Sequence, residues 1–177
     1  MIAEMNVIRW AEQDAAQRRR LLQRPVFENA GLAESVAGII RRVREGGDGA
    51  LKELTAQLDG CAPETVEVDP GFLRSAPDRV SPDLLDAIED ATGRIHAFHQ
   101  ADKPADGKVE TAPGLVCEVR YQPLSPVGLY IPGGSAPLVS TVMMLAIPAA
   151  LAGCEDIVMC SPPGKNGEIA DEILAAA

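Results

Sequence analysis

The chain has 177 residues, a formal net charge of −10, and a composition of 46% hydrophobic and 24% charged residues. This composition excludes a disordered chain, and the acidic balance disfavours a nucleic-acid-binding protein, which needs a basic face against phosphates. The first residues carry no basic segment followed by an apolar run, and no window approaches the roughly 18 apolar residues of a membrane span. The sequence therefore predicts a cytoplasmic globular protein that binds neither nucleic acid nor membrane.

The first part of the chain is charged and has the periodicity of helices. Residues 11–23 predict a short helix that ends before Pro25. Glycines at 46, 47 and 49 predict a break between two further helices, with Asp48 as the cap of the second. A phosphate-binding loop is the less favoured interpretation of these glycines, because they lie between two amphipathic helices. The apolar face of the helix before the break comprises Leu32, Val36, Ile39, Ile40 and Val43.

The middle of the chain mixes short strands with one long helix. Residues 65–68 alternate between polar and apolar side chains and predict a brief strand. Ser81 and Pro82 predict the start of a helix with an apolar stripe that extends to Phe98. A polar loop over 102–107 follows, and residues 115–121 alternate as a strand should.

From about residue 123 onward the chain is rich in Gly, Pro and small apolar residues, which indicates a structural boundary near 123–126. Strand, loop and helix then alternate twice, which is the βαβ pattern of a parallel sheet. Pro148 predicts a kink in the first of these helices. The last helix runs to the final residue without a cap, so we expect the chain to be truncated. The predicted strands are 127–131 and 156–160, and the predicted helices are 140–152 and 168–177.

Two histidines, His96 and His99, lie three residues apart on the long predicted helix. They could form half of a metal site, but zinc sites rarely rest on two ligands, so a solvated helix face is favoured. The four cysteines form no CxxC pair, and no disulfide framework is expected. Cys154 and Cys160 have apolar neighbours, which predicts that they are small buried residues.

The glycine-rich segment Gly133-Gly134-Ser135 matches neither common phosphate-binding signature. It does lie between a strand and a helix, where free N–H groups would face a ligand at the carboxyl end of the sheet. Ligand binding and a plain turn remain open here, and the loop at 161–165 could line the same crevice. Tyr130 ends the strand before this turn. Alternation predicts that it faces one layer while Leu129 and Ile131 face the other, and on position alone a cofactor contact and a core tyrosine are equally plausible.

Residues 126–138, with the sequence PVGLYIPGGSAPL, and the apolar segment 140–154 that follows resemble the signature region of the histidinol dehydrogenase family. Three further segments also fit that family, and the resemblance extends over essentially the whole chain. The three segments are Gly47–Leu51, Val158–Pro163 and Ala170–Leu174. The Phe98-His99 pair also fits the family.

The resemblance implies an enzyme that uses NAD and zinc to oxidise L-histidinol to L-histidine through the aldehyde, by two hydride transfers. It also implies a cytosolic homodimer. Of the family's cofactor contacts only Tyr130 has a match here. The zinc ligands and the acid/base pair are expected beyond Ala177, so no catalytic or metal-binding residue is assigned in this chain, and the 177 residues alone should be inactive.

The fold class expected is α/β, with a helical N-terminal part followed by an incomplete, Rossmann-like parallel βαβ sheet domain. The domains expected are an N-terminal arm and helix over 1–25, a mostly helical part of a first α/β domain over 26–125, and the first βαβ unit of the cofactor-binding domain over 126–177. The alternative function is a non-catalytic ligand-binding or assembly module that retains the fold.

Overall fold

The computed structural model describes residues 7–24, 31–133 and 136–177. The chain divides into two compact units, Met1–Arg42 and Val43–Ala177. Within the described residues, no helix combines the length and apolar character needed to cross a membrane.

The first unit contains a 3₁₀ helix, Trp10–Glu12, then helix α1, Ala15–Leu21, and the start of α2, Leu32–Leu58. The helix predicted over 11–23 therefore begins later than expected. Asp14 accounts for this difference, because its Oδ1 accepts hydrogen bonds of 2.8 Å from the backbone N–H groups of both Ala16 and Gln17. The Gln17 Oε1 in turn accepts from the Asp14 N–H at 2.8 Å, which completes a capping box.

Helix α2 is broken at Gly47, where φ is 53° and ψ is −141°. This left-handed φ is one that glycine adopts without steric cost, and the predicted break is confirmed. The helix before the break is present as predicted, but its apolar side chains are exposed to solvent. The exposed residues of this face are Leu32, Val36, Ile39 and Ile40.

Two short helical segments, α3 (Pro70–Arg74) and a 3₁₀ helix (Ala76–Arg79), precede the long helix α4, Pro82–Asp102. The predicted start of α4 is confirmed, because the Ser81 Oγ accepts a hydrogen bond of 3.3 Å from the Leu84 N–H. The strand predicted over 65–68 is wrong, since this segment has no regular structure. Its alternation is genuine, but no described strand lies alongside to pair with it, and an unpaired segment gains no ladder hydrogen bonds.

Strands β1 (Gly107–Ala112) and β2 (Leu115–Val119) form an antiparallel hairpin. The strand predicted over 115–121 is confirmed for its first five residues, whereas β1 was not predicted. The Glu110 Oε1 accepts a hydrogen bond of 2.7 Å from the Gly114 N–H and closes the turn. Both strands are exposed along their whole length.

The predicted βαβ unit is confirmed. Strand β3 (Val127–Tyr130), helix α5 (Val139–Ala152) and strand β4 (Ile157–Cys160) follow one another, the strands pair in parallel, and α6 (Asp171–Ala176) comes next. Helix α5 remains helical through Pro148. The expected fold class, a helical part followed by the start of a parallel sheet, is therefore the observed one. The core here contains Ile131, Val142 and Ile173, with Met159, Ile169 and Ala176 packed against them.

Side-chain contacts connect the helical segments of the second unit to this βαβ unit. The Arg79 guanidinium donates from Nε to the Asp171 Oδ1 of α6 at 2.7 Å. Its Nη1 donates to the Ser75 Oγ at 2.7 Å and the Phe72 carbonyl at 3.1 Å, and its Cζ lies 3.8 Å from the centre of the Phe72 ring. One arginine therefore holds α6 against the segment that leads into α4.

Helix α4 also contacts α5 directly. The Lys103 Nζ, just after α4, donates a hydrogen bond of 2.7 Å to the Leu151 carbonyl in the last turn of α5. A cation at this position also interacts favourably with the negative end of the helix dipole. Further along, the Thr92 Oγ1 lies 3.4 Å from the Met143 Sδ. These contacts position the helix that follows β3.

Candidate site at the carboxyl ends of the parallel strands

Because β3 and β4 are parallel, their carboxyl ends lie at the same edge of the sheet. Tyr130 is paired with Cys160 at this edge. The ladder continues one residue further, since the Ile131 N–H donates a hydrogen bond of 2.8 Å to the Cys160 carbonyl. The ligand crevice of an open α/β sheet is expected at such an edge.

The Tyr130 side chain is accessible at this edge. Tyr130 is 63% exposed, whereas the next residue, Ile131, is fully buried in the core. Leu129 is half-buried, on the same side as Ile131. The alternation predicted along this strand is confirmed, and the tyrosine side chain lies outside the core that the described residues form.

The face that carries Tyr130 is completed by three further residues, Gly128, Val158 and Cys160, all exposed. The prediction that Cys160 is buried is wrong, because alternation along β4 places Met159, not Cys160, against the core. Cys154 is half-buried, and all four cysteines are free thiols. The apolar neighbours of Cys160 in the sequence gave no indication of which face of the strand it occupies.

The loops that follow the two strands approach each other closely. A Cβ built on Gly133 would lie 2.6 Å from the Pro162 Cγ. The structure thus brings together the glycine-rich turn and the loop at 161–165, as the sequence suggested. Sequence analysis did not single out Pro162, and no pattern in the sequence reveals a contact between two loops. Gly134 and Ser135, the other residues of the glycine-rich segment, lie outside the described residues.

Helix α5 begins directly beyond this turn. Its N-cap is Leu138, whose apolar side chain makes no capping hydrogen bond. Leu138 therefore supplies no side-chain acceptor to the first backbone N–H groups of the helix, and its carbonyl accepts a hydrogen bond of 3.0 Å from the Thr141 N–H. Such groups, at the positive end of the helix dipole, favour a negatively charged ligand group.

The two histidines of the predicted helix, His96 and His99, lie on α4 and are not part of the candidate site at the sheet edge. His96 is exposed, as a solvated helix face requires, whereas His99 is half-buried and packs edge-on against Phe98 with ring centres 5.4 Å apart. Across residues 7–24, 31–133 and 136–177, the structure has no group of three or more His, Cys, Asp or Glu side chains that could hold a metal ion. These residues therefore supply no complete zinc site by themselves.

Comparisons with a family model and with individual proteins both identify histidinol dehydrogenases as similar to this chain. The family model described as histidinol dehydrogenase matches residues 22–177. The histidinol dehydrogenase of Xylella fastidiosa is 46% identical over 174 residues, which cover 98% of this chain and 40% of the relative. That of Vibrio parahaemolyticus is 45% identical over the same length, with 39% of the relative covered.

Among solved structures, the crystal structure of histidinol dehydrogenase from Elizabethkingia anophelis superposes with a TM-score of 0.85 at 36% sequence identity. The match covers 93% of this chain and 38% of that chain. The chain thus spans about 40% of the length of the relatives that it matches. A family model that matches most of the chain and a solved fold that superposes over nearly all of it agree, and the chain belongs to the histidinol dehydrogenase family.

Proposed function

We propose that this chain forms the N-terminal portion of an NAD- and zinc-dependent histidinol dehydrogenase, a cytoplasmic homodimer that oxidises L-histidinol to L-histidine through the aldehyde. In this proposal, residues 126–177 are the first βαβ unit of the cofactor-binding domain, residues 26–125 belong to a first α/β domain, and residues 1–25 form an N-terminal arm. The single observation that carries the cofactor role is the exposed Tyr130 ring at the carboxyl end of a parallel βαβ unit.

The residues at this edge fit a dinucleotide in three respects. The Tyr130 ring offers a flat apolar surface for a heterocycle, and its hydroxyl offers a polar contact. Gly133 has no side chain that would separate the backbone from a ligand. The start of α5, where Leu138 supplies no side-chain cap, favours a phosphate group. When bound, NAD accepts the hydride from the substrate carbon.

In this arrangement the 177 residues orient the cofactor and do not transfer protons. Tyr130 would contact the dinucleotide, and the backbone at Gly133 would allow it to approach closely. We place the zinc ligands and the acid/base residues outside this chain, as the family resemblance implies. Binding and positioning are thus the contribution of this portion to catalysis.

The direct test is histidinol-dependent reduction of NAD by the full-length protein, with product analysis. We expect two NADH for each histidine formed, and loss of activity when zinc is removed by a chelator. Full-length protein that binds NAD but does not oxidise histidinol would instead favour the alternative, a non-catalytic module that retains the fold. Size-exclusion chromatography of the same protein tests the proposed homodimer.

A further inference from the structure

Gly133 lies so close to the Pro162 ring that a side chain at position 133 would collide with it. An alanine Cβ at position 133 would lie 2.6 Å from the Pro162 Cγ and 3.7 Å from the Pro162 Cβ. The first distance is shorter than real Cβ contacts, whereas the second is an ordinary van der Waals contact. The ring of Pro162, and not the backbone of its loop, therefore excludes a side chain at position 133.

Backbone conformation does not explain the glycine. Gly133 does not adopt the left-handed φ that favours glycine, so alanine would be compatible with its backbone. The Pro162 ring can change its pucker but cannot rotate away as a flexible side chain would, because it is closed on the main-chain nitrogen. Pro163 follows and further restricts the conformation of Pro162. Gly133 is thus held against a ring that can yield only by a change of pucker.

We propose that Pro162 is a positioning residue for the cofactor site. This inference rests on the proposed role of the sheet edge in NAD binding. Pro162 lies two residues after Cys160, the strand partner of Tyr130, and Gly133 lies three residues after Tyr130. The contact holds Gly133, two residues after the fully buried Ile131, against the loop that follows β4. Pro162 acts on the cofactor through the position of Gly133.

The experiment is a double-mutant cycle in the full-length enzyme, with the Kd for NAD measured by titration calorimetry and kcat and KM measured for NAD. Gly133→Ala should raise the Kd roughly tenfold, since its Cβ displaces the turn. Pro162→Ala should raise it roughly threefold, because the turn loses its support. The double variant should bind NAD more tightly than Gly133→Ala alone, because the alanine at 162 retains only the Cβ, at a tolerated distance.

Rescue shows that the two residues act through one contact, and a merely structural contact would show it as well, in stability alone. A positioning role requires the change in the Kd and in KM for NAD, with kcat changed less. Gly107→Ala is the matched control. A Cβ at position 107 meets nothing within 4 Å, so its Kd should equal that of the wild type.

Additive effects in the double variant, or a wild-type Kd for Gly133→Ala, would overturn the inference and leave the NAD role intact. If Gly133→Ala does not fold, Pro162→Ala decides, and an unchanged Kd refutes the positioning role. A wild-type enzyme that does not bind NAD overturns the proposed function and this inference together.

Discussion

Arg79 makes the most concentrated set of contacts between the helical segments of the second unit and its βαβ part. Replacing Arg79 with alanine removes the ion pair to Asp171, two further hydrogen bonds, and the stacking on Phe72. The guanidinium lies close to both partners, with a side chain only 25% exposed, while Asp171 is 37% exposed. We therefore expect Arg79→Ala to lower the free energy of unfolding of the protein.

The magnitude follows from the contacts. Hydrogen bonds contribute about 0.5–1.5 kcal/mol each, or about 1.5–3 kcal/mol with a charged partner, and a cation–π contact adds about 0.5–1 kcal/mol. Two terms reduce this sum. Solvent partly screens the ion pair, and the buried Nη2 makes no hydrogen bond to any residue within the described part of the chain. A net loss of about 2–3 kcal/mol remains, which corresponds to a fall in Tm of about 4–12 °C for a protein of this size.

The assay is urea and thermal unfolding followed by circular dichroism, with Arg94→Ala as the matched control. Arg94 pairs with Asp90 at 2.9 Å on the exposed surface of α4, where their side chains are 78% and 65% exposed. Its removal should cost no more than about 0.5 kcal/mol. If Arg79→Ala is no more destabilising than Arg94→Ala, the proposed connection to α6 is refuted. A cycle with Asp171→Ala should also show a coupling of about 1 kcal/mol.

Three further outcomes are expected. The purified 177-residue chain should show no histidinol-dependent NAD reduction, because no described group in it can hold the metal, and zinc-dependent turnover would contradict this. In the full-length enzyme, replacing both His96 and His99 with Gln should leave the zinc content unchanged by elemental analysis; loss of one zinc per subunit would show that they are ligands. The Val142 side chain is fully buried, so Val142→Ala leaves a void and should lower the free energy of unfolding in urea by about 1.5–3 kcal/mol. Met144→Ala, on the exposed side of α5, should lower it little. Equal losses for the two variants would contradict the position of the core.

Local chemistry in the sequence predicted much of the fold. The start of α4 at Ser81, the break at Gly47 and the βαβ unit each rest on short-range signals, namely a cap, a glycine and apolar periodicity. The wrong or missing strand predictions arise where the formation of a strand depends on a pairing partner elsewhere in the chain. Residues 65–68 alternate, but none of the strands in the described part of the chain pairs with them. Strand β1 is polar in sequence yet pairs with β2 across a turn that Pro113-Gly114 could have indicated.

The candidate site likewise combines a feature that short-range alternation predicted with one that depends on contacts between distant segments. Alternation along β3 was sufficient to place Tyr130 opposite the core, and the structure agrees. Its meaning as a cofactor contact came from the family resemblance and stays a prediction. The Gly133–Pro162 contact joins loops 29 residues apart in sequence, and only the parallel pairing of β3 and β4 brings them together.

The most direct test of the proposed cofactor site is the affinity of the full-length enzyme for NAD when Tyr130 is changed. The loss of ring contacts in Tyr130→Ala should cost about 0.5–1.5 kcal/mol, or a roughly threefold to tenfold rise in the Kd measured by calorimetry. Tyr130→Phe should retain the ring contribution, and Tyr121→Ala, at a tyrosine that is 55% exposed beyond the end of β2, should leave the Kd unchanged. A folded Tyr130→Ala enzyme with wild-type affinity for NAD would contradict the assignment of this sheet edge to the cofactor.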